Sequence, residues 1–359
     1  MGIVSLVSFD STNRHLNYRD IIKSMSTMKN IQVQHAPAIA GLSFRGFAGE
    51  SDYPKMLAII EGSKQVDQVE RTDSLEDVRR NYSHLNNCDP YTDMLFAEIN
   101  GEVIGYQRVW WDQLNDGVTR TYSGIGFLLP AWRRKGIGTA MFQHAEERLR
   151  QIAAAHTGPE TKVFSMWANG TAQGLIALLE KQGYQSTRYF FEMARDIHEP
   201  LPEVSLPSGL EVRPVTEADY RAVYEAHTEA FRDHWGFNEQ TFEEFMHWAE
   251  EEDFNPGLWM VAWDGDQIAG QVLNFVSNAE NREYHRKRGY TEGISVRRPW
   301  RKRGLAKALL VKSIAMFKDQ GMSETALGVD AENPSGALGL YQSLGYKEIH
   351  RNVIYRKPL

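Results

Sequence analysis

Short runs in which apolar and polar residues alternate with period two are followed by longer runs with a period near 3.6. This succession occurs twice along the chain in the same order. In the first pass, Gly41-Leu42-Ser43-Phe44-Arg45 alternates as a strand, and a helical segment follows around Met56 to Glu61. Met94 to Ile99 and Val103 to Trp110 are apolar runs joined by Asn100-Gly101, a strong hairpin signal. A strand from Tyr122 to Leu128 then leads through a basic glycine turn into a helix through Met141 and Leu149. Val163 to Trp167, a helix from Ala172 to Glu180 stopped at Gly183-Tyr184, and a final strand about Tyr189 to Met193 complete the unit.

The second pass opens with Gly209 to Arg213. Trp259 to Trp263 and Ile268 to Phe275 form a hairpin turned by Asp264-Gly265. The strand Tyr290 to Val296 precedes a helix in which Ala306, Leu310, Ile314 and Phe317 make one apolar face. A strand from Ala326 to Val329, a helix from Ser335 to Leu344 ending at Gly345-Tyr346, and Val353 to Tyr355 closing the sheet follow. Each half therefore reads as an α+β unit around a mixed sheet, and the internal repeat is the organising fact. The expected boundaries are an N-terminal extension over 1–40 with no assigned role, a first domain over 41–195, a proline-bearing linker over 196–208, and a second domain over 209–359. The length of 359 residues suits two domains of ~150 residues each.

With 42% hydrophobic and 24% charged residues the chain has an ordinary globular composition, and its net charge of −7 disfavours a general nucleic-acid binder. The single cysteine, Cys88, excludes an internal disulfide and a four-cysteine zinc site, and no metal-ligand spacing is present. No apolar run approaches a membrane span and no signal pattern opens the chain, so a cytoplasmic protein with no membrane partner is expected.

Against the acidic background, six of the eleven residues from Arg297 to Lys307 are Arg or Lys. They occupy a strand-to-helix turn, where unpaired backbone N–H groups and the helix dipole favour a phosphate. Arg133 to Gly138 repeats this junction; Gly304 and Gly136, like Trp300 and Trp132, are 168 positions apart.

Arg301-Lys302-Arg303-Gly304-Leu305-Ala306 and Arg133-Arg134-Lys135-Gly136-Ile137-Gly138 both satisfy [RQ]-x-x-G-x-[GA]. In the second half this pattern follows Ile294-Ser295-Val296 and precedes Asn333, Ala337, Leu340-Tyr341 and Gly345-Tyr346. Each half thus resembles the GNAT superfamily of acyl-CoA-dependent N-acetyltransferases. The tandem layout, with Asp233-His234-Trp235-Gly236, is similar to the mycothiol synthase group, in which the C-terminal domain is catalytic. Tyr290 stands where that group has a strand glutamate, and Arg298-Pro299 replaces its Asp-Pro, so the resemblance implies architecture further than it implies substrate.

The resemblance implies two tandem GNAT domains, acetyl-CoA as cofactor and direct transfer to a primary amine of a small molecule such as an amino sugar, an aminoglycoside or a cysteinyl conjugate. Backbone N–H groups from Arg301 to Ala306 would cradle the pyrophosphate, with Asn333 nearby; Ile294 to Val296 would donate to the thioester carbonyl. Leu128 and Arg133 to Gly138 are the first-half counterparts. Tyr341 is the candidate acid for the departing thiolate, since an ordinary tyrosine keeps its proton at neutral pH. Leu179 stands four residues before Gly183, as Tyr341 does before Gly345, so the first half is expected to be degenerate. Glu292 is the first choice of base, with Asp330 and Glu332 behind it, and Asp233, His234 and Trp235 would cover the acceptor pocket. Structural readings stand beside these: Tyr341 as core, Glu292 as a solvent-facing strand carboxylate, Asp233 as a helix cap and Trp235 as packing. Two other functions also stay open, a non-catalytic acyl-CoA sensor or scaffold and a tandem GNAT-like aminoacyl transferase using aminoacyl-tRNA. The chain could be a monomer or a dimer.

Overall fold

The computed structural model describes residues 30–333 and 335–359. The sequence expectations for residues 1–29 lie outside them. In the first half, β1 (Leu42–Arg45) leads to helices α1 (Tyr53–Asp67), α2 (Leu75–Ser83) and α3 (Pro90–Asp93). Then come β2 (Met94–Ile99), β3 (Glu102–Gln113), β4 (Thr119–Leu128), α4 (Ile137–Ala154), β5 (Thr161–Asn169), α5 (Gln173–Lys181) and β6 (Gln185–Asp196). In the second half, β7 (Glu211–Arg213), α6 (Tyr220–Phe231), α7 (Phe242–Met246), β8 (Met260–Asp264), β9 (Gln267–Phe275) and α8 (Asn278–Glu283) follow. β10 (Arg288–Val296), α9 (Leu305–Asp319), β11 (Glu324–Asp330), α10 (Ala337–Ser343) and β12 (Lys347–Pro358) complete it. Residues 197–210 carry neither helix nor strand.

The expected helix at Met56 to Glu61 is longer than its apolar core, because Asp52 and Pro54 start it and Gln68 at φ 52° ends it. Helix α2 has a short apolar face of Leu75, Val78 and Tyr82, and it is nucleated by a capping box in which Ser74 and Asp77 satisfy each other's backbone N–H.

All strands join one sheet in the order β1-β2-β3-β4-β5-β12-β6-β11-β10-β9-β8-β7. The order corrects one expectation. The terminal strands do not close their own halves: β12 pairs antiparallel with β5 of the first half, and β6 pairs antiparallel with β11 of the second. β6 and β12 then pair with each other at the centre. A period-two pattern sets which face a side chain takes but not which neighbour its backbone meets.

The exchange reaches into the cores. Val353 and Tyr355 of β12 are buried with Tyr122, Leu149, Phe164 and Leu179 of the first half. Met193 and Ile197 are buried with Phe317, Leu327 and Tyr346 of the second. Arg195 on β6, 2% exposed, donates to the carbonyls of Asp196, Glu199 and Pro200 and to that of Leu344 just after α10. Arg188 pairs with Asp330 at 2.8 Å and Arg288 with Glu192 at 3.0 Å across the same seam.

Neither half can keep its sheet closed without the other, so calorimetry should show one cooperative transition for the chain. A fragment ending at Ser208 leaves the β5 edge and β6 without their partners and should be insoluble or unfolded. Two separated transitions, or a stable first-half fragment, would contradict the interlocked sheet.

Candidate active site

In both halves the parallel pair at the sheet centre starts together and parts. β10 and β11 pair only from Arg288↔Glu324 to Tyr290↔Ala326, and β4 and β5 only from Thr119↔Thr161 to Ser123↔Ser165. Beyond those points each pair leaves a V-shaped gap. In the second half, the hydroxyls of Thr291 and Thr325 lie 3.0 and 2.9 Å from the buried Tyr346 hydroxyl, where the strands separate. This explains the tyrosine of the Gly345-Tyr346 ending.

Above that point the register of β10 on β9 slips between Glu292 and Ser295, and Gly293 takes φ 57°. Gly293 and Ile294 fall between paired positions, as in a β-bulge, which re-aims side chains and frees backbone groups. The first-half ladder between β3 and β4 runs without a slip from Gly105↔Leu128 to Gln113↔Arg120.

Glu292 turns into the gap. Gly328 on β11, which has no parallel partner there, donates its N–H to Glu292 Oε1 at 2.6 Å. Burial pushes the Glu292 carboxyl up to about 7, against the lowering effect of that hydrogen bond and with a smaller upward push from Glu192. Tyr341 from α10 is 6% exposed, and its hydroxyl is raised well above the ordinary tyrosine value, first by burial and then by Glu292. The structure therefore brings Glu292 and Tyr341 into one electrostatic site. Asp330 is taken by Arg188, and Glu332 by the same guanidinium at 3.0 Å, so the two reserve carboxylates are tied to β6. In the first half the 168-residue offset puts Gly124 opposite Glu292, and Leu179 is a fully buried core residue.

The two basic turns share one backbone. Arg134 and Gly136 have φ 62° and 86°; Lys302 and Gly304 have 60° and 80°. In each turn the second to fourth motif residues, Arg134 to Gly136 and Lys302 to Gly304, are exposed, and the fifth, Ile137 or Leu305, is buried. The first arginine of each motif faces inward. Arg133 Nε donates to Leu128 O at 2.8 Å and its fork holds Asp67; Arg301 Nε donates to Val296 O at 2.9 Å and its fork holds Asp233. These side chains fix the turn, leaving backbone N–H groups and the outer side chains for an anion. The turns differ in what lies before them: a side chain at Gly304 would meet open space, whereas one at Gly136 would meet Pro37 at 3.5 Å. Arg303 donates to Ser208 O at 3.3 Å, and Asn333 uses its side-chain oxygen to accept from Ser335 N–H at 2.9 Å. Ser295 is buried, and Ile294, Val296 and Ala306 are half-buried; in the first-half turn, Lys135 is stacked over Trp132 and Gly138 is half-buried.

The residues expected over the acceptor are engaged by other side chains, and none of them lines the cavity beside Glu292. Asp233 is bound by Arg298 and Arg301, which hold its carboxyl well below the usual range. Burial lowers His234, which lies near Asp330. The Trp235 ring lies under the guanidinium groups of Arg188 at 5.1 Å and Arg356 at 4.4 Å. Arg286 and Arg288 are engaged by Glu280 and by Glu192 and Glu324.

A cavity of about 500 Å³ opens beside Glu292 and Gly293. Its second-half walls are His227, Phe245, His247, Trp248, Leu273 and Phe275; its first-half walls are Arg80, Asn81, His84 and Asn86. Burial lowers His227 to about 4, so the imidazole is neutral at pH 7. The first-half residues were missed by the sequence reading. Ser74-x-x-Asp77 marks their helix, but nothing linear says that it borders the other half.

A model of the acetyltransferase (GNAT) family matches residues 56–184 and again 220–346. Among curated relatives, a mycothiol acetyltransferase of Salinispora tropica is 29% identical over 263 residues, covering 72% of this chain and 78% of its own. Another, from Geodermatophilus obscurus, is 25% identical over 268 residues, covering 74% and 82%. Among solved structures, a GCN5-related N-acetyltransferase from Sphaerobacter thermophilus is 28% identical, with TM-score 0.66, covering 88% of this chain and 95% of its own. A tandem GNAT protein from the clavulanic acid biosynthesis pathway shares the fold at 15% identity and TM-score 0.62, covering 88% of this chain and 98% of its own.

The raised Glu292 carboxyl fixes a stability test. Its folded-state value of about 7 exceeds an unfolded value of ~4.3, so the folded protein binds the extra proton and stability falls as pH rises through that window. Glu292→Gln removes the effect: its Tm should exceed wild type by roughly 2–5 °C at pH 8 and by little at pH 5. An equal difference at both pH values would show that Glu292 is ionised throughout.

Proposed function

The chain belongs to the acetyltransferase (GNAT) family, and from that premise we propose that it moves an acetyl group from acetyl-CoA directly to a primary amine of a small molecule, in its second half. The reading is carried by one observation: Glu292 stands in the second-half gap, where it accepts from Gly328 N–H, and it also lines the adjoining cavity, with the buried Tyr341 hydroxyl within reach of its charge.

The open turn from Arg301 to Ala306 would hold the phosphates, with αL conformations at Lys302 and Gly304 directing successive N–H groups outward. The gap between β10 and β11 would admit the acyl-bearing arm. Glu292, poised near neutrality, accepts the proton as the amine nitrogen bonds to the thioester carbon. Backbone N–H groups over Ile294 to Val296, beside the bulge, stabilise the charge that develops on the carbonyl oxygen. When the carbon–sulfur bond breaks, the Tyr341 hydroxyl protonates the thiolate. The products are the amide and CoA thiol; the proton received by Glu292 leaves to solvent and Tyr341 regains one from solvent, so no net proton is released. The first half, with Leu179, Gly124 and Pro37 at the corresponding places, is read as non-catalytic. Relatives that are mycothiol acetyltransferases support a small-molecule acceptor.

A CoA-release screen over amino sugars, aminoglycosides, cysteinyl conjugates, polyamines and peptides tests the activity, and release with none of them would count against it. With the active amine, Tyr341→Phe should lower kcat by about a hundredfold while acetyl-CoA affinity stays near wild type. The kcat/KM profile should rise through pH 7, and Glu292→Gln should flatten that limb. Gly304→Glu should weaken acetyl-CoA binding more than Gly136→Glu; the reverse ranking would move the reactive site to the first half.

A further inference from the structure

The first half keeps a cavity of its own, about 350 Å³, on the α1 and α2 side of β3 and β4. Arg108 of β3 projects into it, with its guanidinium 5.2 Å from the ring centres of both Tyr82 and Trp110. The other arginine of this cavity, Arg71, is paired with Asp73. Arg80, in the neighbouring cavity, is paired with Asp77. Arg108 alone among these three has no carboxylate partner among the described residues, and its Nε is buried without a hydrogen bond. A half-buried guanidinium held between two aromatic faces is oriented, yet it keeps its charge and lacks a counter-ion, so its desolvation is uncompensated.

We propose that this cavity binds the carboxylate of a small organic molecule, with Arg108 as its bidentate partner. The chemical class follows from the walls. Met56, Ile60, Tyr106 and Phe127 offer an apolar body site. The Asp112 carboxyl, raised by burial, disfavours a multiply charged phosphate. A guanidinium fork matches a single carboxylate in two parallel hydrogen bonds. Asn81, His84 and Asn86 line this cavity and the acceptor cavity alike, so the two adjoin. The carboxylate belongs either to the far end of the acceptor or to a separate acid that occupies the first half while the second reacts. This site goes beyond the acetyl-transfer reading and is tested without turnover.

Calorimetric titration of the full-length chain with acetate, glutarate and phenylacetate, each against its neutral amide, reads the site directly. At least one carboxylate should bind saturably and its amide should not. Arg108→Gln should lose about tenfold or more in affinity. Arg108→Lys, which keeps the charge without the fork, should recover only part. Arg79→Gln, an exposed change on the outer face of α2, should bind as wild type. If no carboxylate binds, or Arg108→Gln and Arg108→Lys both bind as wild type, the proposal is overturned. With an active amine in hand, a carboxylate that raises KM at unchanged kcat is competing for the acceptor's own anchor. One that changes kcat at saturating amine is a separate ligand. Loss of acetyl transfer with carboxylate binding intact would count against the activity alone.

Discussion

Backbone N–H and C=O groups inside a sheet must be paired, and the second half contains a place where they are not paired by strand. β10 and β11 part after Tyr290 and Ala326, and the bulge at Gly293 lies just beyond that point. The base of the opening is held by Tyr346, whose hydroxyl reaches one threonine on each strand. The first orphaned donor above it, Gly328 N–H, is satisfied by Glu292. One carboxylate therefore replaces a ladder bond and stands in the gap, half removed from water. The raised affinity of Glu292 for its proton follows from its burial there.

The same demand for pairing explains the relation between the halves. Each parallel pair needs an antiparallel strand on its far side, and each half receives it from the other, β12 on β5 and β6 on β11. Exchange of equivalent elements is a familiar way to join two copies of a domain. Here it is built into one chain, with Arg195 supplying four backbone carbonyls at the crossing. The interlock also explains why a helix of one half, α2, can serve as a fixed wall for the cavity of the other.

Much of this was legible in the chain because it is local. Hairpin turns at Asn100-Gly101 and Asp264-Gly265, the two basic glycine turns, and the contrast between Tyr341 and Leu179 are all short-range signals. Glu292 was identifiable from its place on the strand before the turn. What was not legible depends on contacts between distant segments. The partner of β12 is settled by backbone pairing between residues as far apart as Asn169 and Asn352, which side-chain periodicity does not encode. Asp233 and Trp235 read as acceptor-loop residues because nothing in the sequence shows that Arg298, Arg301, Arg188 and Arg356 converge on them. The inward-facing first arginine of each motif was likewise hidden, since a basic cluster looks uniform until some of its charges are paired.

The asymmetry of the halves follows from which positions the interlock constrains. Positions that fix the basic turns are used in both: Arg133 matches Arg301 in its hydrogen bond and Gly136 matches Gly304 in its φ. Positions that serve only the proposed chemistry differ: Gly124 opposite Glu292, Leu179 opposite Tyr341, and an unbroken ladder opposite the bulge. The first half is required whatever its chemistry, because removing it would strip β12 and β11 of their partners and the cavity beside Glu292 of one wall. Such a half can change its own cavity without cost to the sheet, and an arginine without a counter-ion between Tyr82 and Trp110 is the kind of change that binding, rather than folding, accounts for.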